Sequence, residues 1–373
     1  MAFRLSMFIL CMMALASIGW GQQPPPPAAG AQPPGGRGGN KVNSGNNGNT
    51  AGFNMERSNE AAGVDIDRFI GVAENSPVHL SHGTLLTHSI LRAGSPYEPG
   101  GSGAVLEYRK ELSVSTLLAR NRTPLSTLPD EFFFYVKSGQ GTLDDGKMYW
   151  DLREGMAILA PPNVPHRFIN TSDDKPLTMI MVTWTSQSAS PGSALVVRDV
   201  ALLPYCEENV HWNNTSKCIF STADGLFQGE RMYLVMLQPR AMSAPHTHGA
   251  GTEEIWTKLT PGTAVTLLGS EIRDMPENSA YLVPPTGFTQ HANLNLTPDR
   301  VDWWLYVARG AGAAGGRGGG PVTSAAPAPP APAANAGGRG ANPGNPANPA
   351  NPNVVRDRAA VEAANVAGKP LPK

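Results

Sequence analysis

The stretch "SAPHTHGAGTEEIW" at residues 243–256 places two histidines one residue apart, followed by two glutamates that open an apolar run. Side chains alternate between the two faces of a β-strand, so we expect His246 and His248 on one face. By the same rule Glu253 and Glu254 point in opposite directions, and only one of them can face a barrel interior. Imidazole and carboxylate groups together are ligands that divalent transition metals accept. The stretch is therefore a candidate metal site in a β-sheet protein, and the alternative is that His246 and His248 are ordinary loop histidines.

Short apolar runs recur through residues 66–309, at intervals of roughly ten to fifteen residues. Examples are "GAVLEY", "EFFFYV", "LTMIMVTW" and "WWLYVA", and glycine, proline, asparagine and aspartate cluster between such runs. No strong helical periodicity separates them. This spacing favours a β-sandwich or barrel over a fold of alternating strands and helices.

The chain repeats itself within this region. Residues 130–139 align without a gap with residues 253–262, an offset of 123 residues, and both segments open on an acidic pair. Downstream, "LAPPNVPHRFIN" at residues 159–170 aligns with "LVPPTGFTQHANLN" at residues 282–295, which has two added residues. The sequence therefore predicts two copies of one β domain.

The repeated residues resemble the two sequence motifs of the cupin superfamily. In the second copy the resemblance to both motifs rests on His246, His248, the acidic pair, Gly262, Pro285, Gly287, His291 and Asn295. In the first copy the resemblance to the second motif rests on Gly155, Pro161, His166 and Asn170. The chain thus resembles a two-domain cupin, or bicupin, of the secreted bacterial type.

This resemblance implies an all-β fold of tandem double-stranded β-helix (jelly-roll) barrels. We place an N-terminal cupin barrel at residues 66–190 and a C-terminal cupin barrel at residues 191–309.

The resemblance also implies a set of metal ligands, namely His246, His248, His291 and one of the two acids. Glu254 is preferred, because family members often carry Glu-Glu-Ile with the second acid as the ligand. Glu253 is the alternative, because it gives the usual family gap after His248. The implied cofactor is one divalent transition metal: Mn, Fe, Ni, Cu or Zn.

The first copy lacks this ligand set. The offset of 123 residues aligns Thr123 and Leu125 with the two histidines of the His-x-His pair, and only Glu131 and His166 remain. Two ligands seldom hold a divalent ion against water, so we predict a metal-free first barrel with a degenerate site. Upstream, His79, His82 and His88 have spacings that do not fit one strand face, and we predict that they are surface or turn residues.

The N-terminus has the form of a secretory signal. Arg4 precedes an apolar run at residues 7–18, and small residues follow near a cleavage position at Gly21. The run is shorter than the roughly 20 residues of a membrane-spanning helix. We therefore assign residues 1–21 to a cleavable signal peptide and expect a periplasmic or secreted protein without a membrane span.

Two segments are poor in large apolar side chains and contain much of the chain's 41 glycines and 35 prolines. Residues 22–65 are predicted to form a low-complexity linker, and residues 310–373 a disordered tail, within which the last twenty residues have weak helical character. "GGRGG" occurs in both segments, but a flexible spacer is favoured over RNA binding. The net charge of -1 likewise predicts no nucleic-acid partner.

Two cysteines remain after removal of the signal peptide. Cys206 and Cys218 lie in the polar stretch "YCEENVHWNNTSKC", and in an exported protein they are most simply a disulfide. A metal site formed by both cysteines with His211 is the alternative.

The cupin resemblance indicates a fold more specifically than a reaction. One hypothesis is an exported metalloenzyme, an oxidoreductase or lyase of oxygenase or decarboxylase type, that acts on a small organic acid, phenol or sugar at the C-terminal barrel. The other is a non-catalytic binding or structural protein of the envelope, in which the metal anchors the module. Both have a small-molecule partner, both are compatible with a homo-oligomer, and neither has an assigned catalytic residue.

Overall fold

A computed structural model of the chain describes residues 63–184, 191–206, 214–226, 229–309 and 358–371. These residues form twenty-one strands and one short α-helix, with a few turns of 3₁₀-helix between them. The strands before residue 200 are β1 (Ile70–Val72), β2 (Val78–Ser81), β3 (Leu85–Ala93), β4 (Ala104–Leu106), β5 (Arg109–Leu117), β6 (Phe132–Ser138), β7 (Gln140–Asp144), β8 (Met148–Arg153), β9 (Met156–Ala160), β10 (Arg167–Ile169), β11 (Leu177–Trp184) and β12 (Val196–Asp199). The later elements are β13 (Asn214–Ser221), β14 (Glu230–Leu237), β15 (Glu253–Lys258), β16 (Ala264–Leu268), β17 (Glu271–Met275), β18 (Ser279–Leu282), β19 (His291–Leu294), β20 (Asp302–Arg309), α1 (Arg358–Ala363) and β21 (Lys369–Pro370).

The strands build two barrels, each made of a large and a small sheet. In the first barrel the large sheet has the order β12-β9-β6-β11-β5-β3-β2, with β4 beside β3, and the small sheet has the order β10-β7-β8-β21. In the second barrel the large sheet has the order β1-β18-β15-β20-β14-β13 and the small sheet β17-β16-β19. Antiparallel pairing dominates, as expected of jelly-roll barrels. The predicted all-β architecture is confirmed.

Each large sheet gains an edge strand from outside its predicted domain. β1, which precedes the first barrel in sequence, pairs with β18 of the second barrel. β12 follows residue 190 yet pairs with β9 of the first barrel. The predicted division between residues 190 and 191 therefore does not separate the sheets, because one short strand from each side completes the other barrel.

Alternation along the large sheets divides the core into three clusters. Phe132 and Phe134 of β6 face the interior of the first barrel, and Trp256 of β15 faces the interior of the second. The intervening residues, such as Phe133 and Ile255, belong to a third cluster that both large sheets share. The two sheets thus pack face to face, and burying this shared layer makes the barrels one unit.

Residues 358–371 return to the first barrel, so the prediction of a disordered tail over residues 310–373 is wrong for this segment. β21 extends the small sheet beside β8, and Trp150 donates a hydrogen bond from Nε1 to the carbonyl of Val366 at 3.0 Å. Gly368 lies so close to Trp150 that an added Cβ would come within 2.7 Å of the indole. Residues 1–62 and 310–357 lie outside the described residues.

Cys206 and Cys218 are both thiols, so the predicted disulfide is not formed in this structure. The Sγ atom of Cys206 lies instead 3.1 Å from the hydroxyl and 3.3 Å from the carbonyl oxygen of Ser216. Both cysteines pack against the interior cluster of the second barrel, and His211 lies outside the described residues. The disulfide of an oxidised, exported protein stays a prediction.

Mass spectrometry of the protein isolated from an oxidising compartment, after alkylation without reduction, tests this prediction. A disulfide leaves Cys206 and Cys218 unmodified and joins their peptides. Alkylation of both thiols contradicts it, and a Cys206→Ser variant gives the mass pattern of a single thiol for reference.

Candidate metal centre

Three histidines converge in the second barrel. His246 lies in the loop before β15 and forms an isolated bridge with His291, the first residue of β19. The amide of His246 donates to the His291 carbonyl at 3.3 Å, and the amide of His291 donates in return at 3.0 Å. His248 lies two residues further along, and one ring nitrogen of each histidine falls within 4.8 Å of the others. The predicted His-x-His pair and His291 therefore come together.

Glu254 completes the cluster from β15. Its Oε2 atom lies 2.8 Å from Nε2 of His248, and its Oε1 atom lies 2.8 Å from Nε2 of His291. Trp256 donates from its indole to Oε1 at 2.7 Å, and the Tyr306 hydroxyl donates to Oε2 at 3.0 Å. The carboxylate is fully buried and held at both oxygens, so its orientation is fixed before any ligand arrives.

The other acid, Glu253, points to the opposite face of β15 and faces the first barrel. Arg109 contacts its Oε1 atom at 2.6 Å, and the amides of Glu107 and Tyr108 donate to Oε2 at 2.6 and 3.1 Å. Of the two alternatives, Glu254 is the one beside the histidines. Glu253 is therefore buried in a charge network of its own.

That network crosses the boundary between the two barrels. The guanidinium of Arg109, on β5 of the first barrel, also contacts Glu230 on β14 of the second barrel. The side chains of Arg109 and Glu230 are fully buried. Burial raises the pKa of Glu230, and the charge of Arg109 acts against that rise. The first barrel thus supplies a cation that contacts two buried carboxylates of the second.

The electrostatics of the cluster favour an ionised carboxylate. Burial alone would raise the pKa of Glu254, but His248 and His291 outweigh it and hold that pKa well below its usual range. Burial also opposes protonation of His248, yet the Glu254 carboxylate raises the pKa of this histidine. At His291 burial dominates and lowers the pKa. An anionic carboxylate surrounded by imidazoles is the charge state that a metal ion requires.

The donor set fits a divalent transition metal. His246 directs its Nδ1 atom at the carbonyl of Ala244, 3.0 Å away, which places the proton on Nδ1 and leaves the Nε2 lone pair for a ligand bond. Three imidazole nitrogens and one carboxylate oxygen suit Mn, Fe, Ni, Cu or Zn. The side chain of His248 is 26% exposed, so the cluster is reachable from solvent on that side.

The first barrel has a different set of residues at the corresponding positions. Ser126 forms the same isolated bridge with His166 that His246 forms with His291. The structural counterpart of His246 is therefore Ser126, three residues beyond the predicted Thr123. The gap-free alignment failed here because the loop of the second barrel is longer before β15.

The repeat alignment also predicts the wrong counterpart of Glu254 in the first barrel, since Glu131 is one residue away from the equivalent position. Phe133 pairs with Leu159 in the first barrel, and Ile255 pairs with Leu282, the repeat equivalent of Leu159, in the second. This register makes Phe132 the counterpart of Glu254, and Glu131 the counterpart of Glu253. Of the four positions His166 alone keeps its residue type, and a phenyl ring occupies the place of the carboxylate.

His82 fills the interior of the first barrel instead. This residue lies in the β2–β3 turn at a φ of 46°, and its Nε2 atom lies 3.2 Å from Nε2 of His166. Phe132 and Phe134 contact its ring edge-on, with ring centroids at 4.8 and 5.5 Å. Of the two places predicted for His82, the turn is right and the surface is wrong, because this turn, which lies outside the repeated region, inserts the ring among aromatic side chains.

The two other upstream histidines lie nearer the surface. His79 is exposed and lies 3.6 Å from Glu111, and Nδ1 of the partly buried His88 lies 2.8 Å from the carbonyl of Ala73.

We predict that His82 makes the protein less stable as the pH falls. Burial, and next the charge of His166, lower the pKa of His82 to about 3. In the unfolded chain the imidazole has a pKa of about 6.5, so between pH 6.5 and pH 3 His82 is protonated in the unfolded chain but not in the folded chain. The folding stability that depends on an uncharged His82 is fully present above pH 6.5. It is lost as the pH falls toward 3, at about 1.4 kcal/mol for each pH unit.

Urea unfolding of the wild type and of His82→Leu between pH 7.5 and 4.5 measures this effect. Below pH 6.5 the free energy of unfolding of the wild type should fall more steeply than that of His82→Leu, by up to about 1.4 kcal/mol for each pH unit. Equal slopes for the two proteins would contradict it.

Residues 122–183 match the family model described as a cupin domain. The first barrel is a cupin domain. The predicted resemblance of the chain to the cupin superfamily, with two barrels in tandem, is confirmed. The matched segment lies in the barrel without the histidine cluster, so the match itself carries no information about the metal centre.

Several solved structures are similar to this chain. AerE from Microcystis aeruginosa has a TM-score of 0.48 at 12% identity and covers 65% of this chain and 99% of its own. The oxalate decarboxylase of Lactobacillus farciminis, in a formate complex, has a TM-score of 0.47 at 10% identity, with coverages of 65% and 86%. The 7S globulin of Momordica charantia has a TM-score of 0.48 at 7% identity, with coverages of 65% and 84%. No curated protein matches the chain.

Proposed function

We propose that this chain is an exported metalloenzyme with a two-barrel cupin fold, which binds one divalent transition metal and a small molecule in its second barrel. The observation that carries the proposal is the convergence of His246, His248 and His291 on the buried carboxylate of Glu254. Three imidazoles and a carboxylate in one place are hard to explain by packing, because each polar group loses its hydration on burial.

The four side chains would hold the metal, and the metal would act as a Lewis acid or a redox centre. Four protein ligands leave one or two positions of a six-coordinate ion for an exogenous molecule. The solvent-facing side of His248 is the direction from which such a molecule would enter. An oxygenase or decarboxylase reaction on a small organic acid, phenol or sugar is the reaction class that we propose.

The protein's own contribution is to orient the ligands and keep them in the required protonation state. Trp256 and Tyr306 donate to the two oxygens of Glu254, and groups in this position typically change metal affinity by about 10- to 100-fold when removed. His246 is held in the required tautomer by Ala244. Water is kept from the inner side of the cluster by the aromatic side chains of the second barrel.

Metal analysis followed by activity measurement tests the proposal. The full chain is purified from its native compartment, its metal is identified by elemental analysis, and the dialysed protein is reloaded with Mn, Fe, Ni, Cu or Zn. Oxygen uptake and carbon dioxide release are then measured over a panel of small acids, phenols and sugars. We expect one metal per chain, and turnover that disappears in the His246→Ala variant.

A non-catalytic envelope protein is the second candidate, and the replaced site of the first barrel favours it, since that domain has kept the fold without the ligands. In the same experiment this candidate predicts that a small molecule binds without turnover. That binding should persist in the His246→Ala variant. A chain that binds no metal would contradict the metalloenzyme proposal.

Export is part of the proposal and depends on residues 1–21. N-terminal sequencing of the mature protein from the periplasm or the medium should give a chain that begins near Gln22. A chain that retains residues 1–21 in the cytoplasm would contradict it.

A further inference from the structure

We infer that Arg231 binds a carboxylate group of the small molecule that occupies the metal centre, so that the ligand is a small organic anion rather than a phenol or neutral sugar. The inference rests on the proposed function and narrows its substrate class.

Strand alternation places Arg231 on the inner face of the second barrel. Tyr233 lies two residues along β14 and belongs to the interior cluster, whereas Met232 and Leu234 belong to the layer between the barrels. Side chains two residues apart on a strand share a face. Arg231 therefore faces the interior, and Glu230, on the other face, pairs with Arg109.

Pairing across the large sheet aligns Arg231 with the metal centre. Arg231 is paired with Ala308 of β20, and Ala308 is paired on its other side with Glu254 of β15. Arg231 and Glu254 are thus two strands apart in one row, a separation of about 10 Å between their backbones. The residue between them, Ala308, has only a methyl side chain.

The neighbouring row closes the space from below. Tyr233, Tyr306 and Trp256 occupy that row, with ring centroids 5.5 Å apart for the two tyrosines and 4.9 Å apart for Tyr306 and Trp256. A ligand between Arg231 and the histidines would lie beside these aromatic rings.

Arg231 adds a positive charge on the same inner face of the sheet as the cluster. A divalent cation would outweigh the single charge of Glu254. Together with Arg231, the loaded site would be positively charged and would attract an anion.

Arginine is also the side chain that suits this ligand best. Its planar guanidinium offers paired N–H donors that match the two oxygens of a carboxylate. One end of a small organic acid can then reach an open metal position while a carboxylate contacts Arg231. A neutral sugar or a phenol offers no such partner for the guanidinium.

Titration of the Co(II)-loaded full chain tests the inference through the visible absorption of the metal. Acetate and oxalate serve as anionic probes, and catechol and glucose as the phenol and the neutral sugar. We compare the wild type with Arg231→Met, with Arg231→Lys and with Arg273→Gln, an arginine that pairs with the exposed Asp67. Co(II) affinity and thermal unfolding are measured for each protein.

We expect oxalate or acetate to bind to the wild type, and Arg231→Met to lose roughly 10- to 100-fold in that affinity while Co(II) affinity stays unchanged. Arg231→Lys should retain part of the affinity and Arg273→Gln all of it. If Arg231→Met and the wild type bind the anions with equal affinity, the inference is overturned but the proposed function is not. Tighter binding of catechol or glucose than of the anions would have the same consequence. A wild-type chain that takes up no Co(II) contradicts the proposed function, and the inference with it.

Discussion

Replacing His291 with alanine is expected to abolish stoichiometric metal binding. His291 contacts Glu254 directly and pairs through its backbone with His246, so it holds a central place in the cluster. Removal of this imidazole takes away one ligand and one of the two histidines that keep the Glu254 carboxylate ionised. The loss should exceed the roughly 100-fold that removal of a supporting residue can cause.

The first barrel supplies a matched control. His166 occupies the equivalent position, forms the equivalent backbone bridge and is equally buried, but its neighbours are Phe132 and His82. His166→Ala should leave one metal per chain with unchanged affinity. Equilibrium dialysis with Zn or Mn measures both variants, and loss of metal in His166→Ala, or its retention in His291→Ala, would contradict the assignment.

Replacing Arg109 with methionine is expected to destabilise the protein by about 3–5 kcal/mol. The change leaves the carboxylates of Glu230 and Glu253 buried without their cation, and both side chains are almost completely excluded from water. Because screening by solvent is minimal there, the loss should be much larger than for an exposed ion pair such as that of Arg120 with Asp173.

A triple variant separates charge from shape. Arg109→Met combined with Glu230→Gln and Glu253→Gln removes the unbalanced charges, and much of the lost stability should return. Arg120→Ala, in which an exposed pair is broken, should change stability by less than about 1 kcal/mol. Urea unfolding of the metal-free proteins measures all three. A single Arg109→Met variant as stable as Arg120→Ala would contradict the role of this network.

Much of the second barrel's site could be predicted from sequence, because its ligands follow strand geometry. His246 and His248 share a face by the period of two, and the later histidine belongs to the repeated motif. The choice between Glu253 and Glu254 stayed open, because a shift of one residue moves a side chain to the other face of a strand. In the structure Glu254 lies beside the histidines, whereas Glu253 pairs with Arg109, a residue of the other barrel that the local sequence does not indicate.

In the first barrel the residues that correspond to the metal ligands could not be predicted correctly from sequence. Residues 132–134 are three consecutive phenylalanines, and an apolar run of this kind gives no alternation from which to read the register. The alignment therefore placed Glu131 opposite Glu254, although Phe132 occupies that place. His82 could not be found at all, because its contact with His166 spans 84 residues and follows no motif.

The C-terminal segment was missed for a related reason. Small residues, above all alanine, dominate its composition, and its order depends on contacts that Trp150 and Arg198 of the first barrel provide. Such docking of a short segment onto a preformed surface leaves little periodicity in the segment itself.

Anomalous diffraction from crystals of the metal-loaded full chain locates the metal itself. We expect one peak per chain in the second barrel, about 2.0–2.2 Å from a ring nitrogen of each of His246, His248 and His291 and from an oxygen of Glu254. A peak beside His82 and His166 instead, or no peak among the three histidines of a metal-saturated crystal, would contradict this expectation.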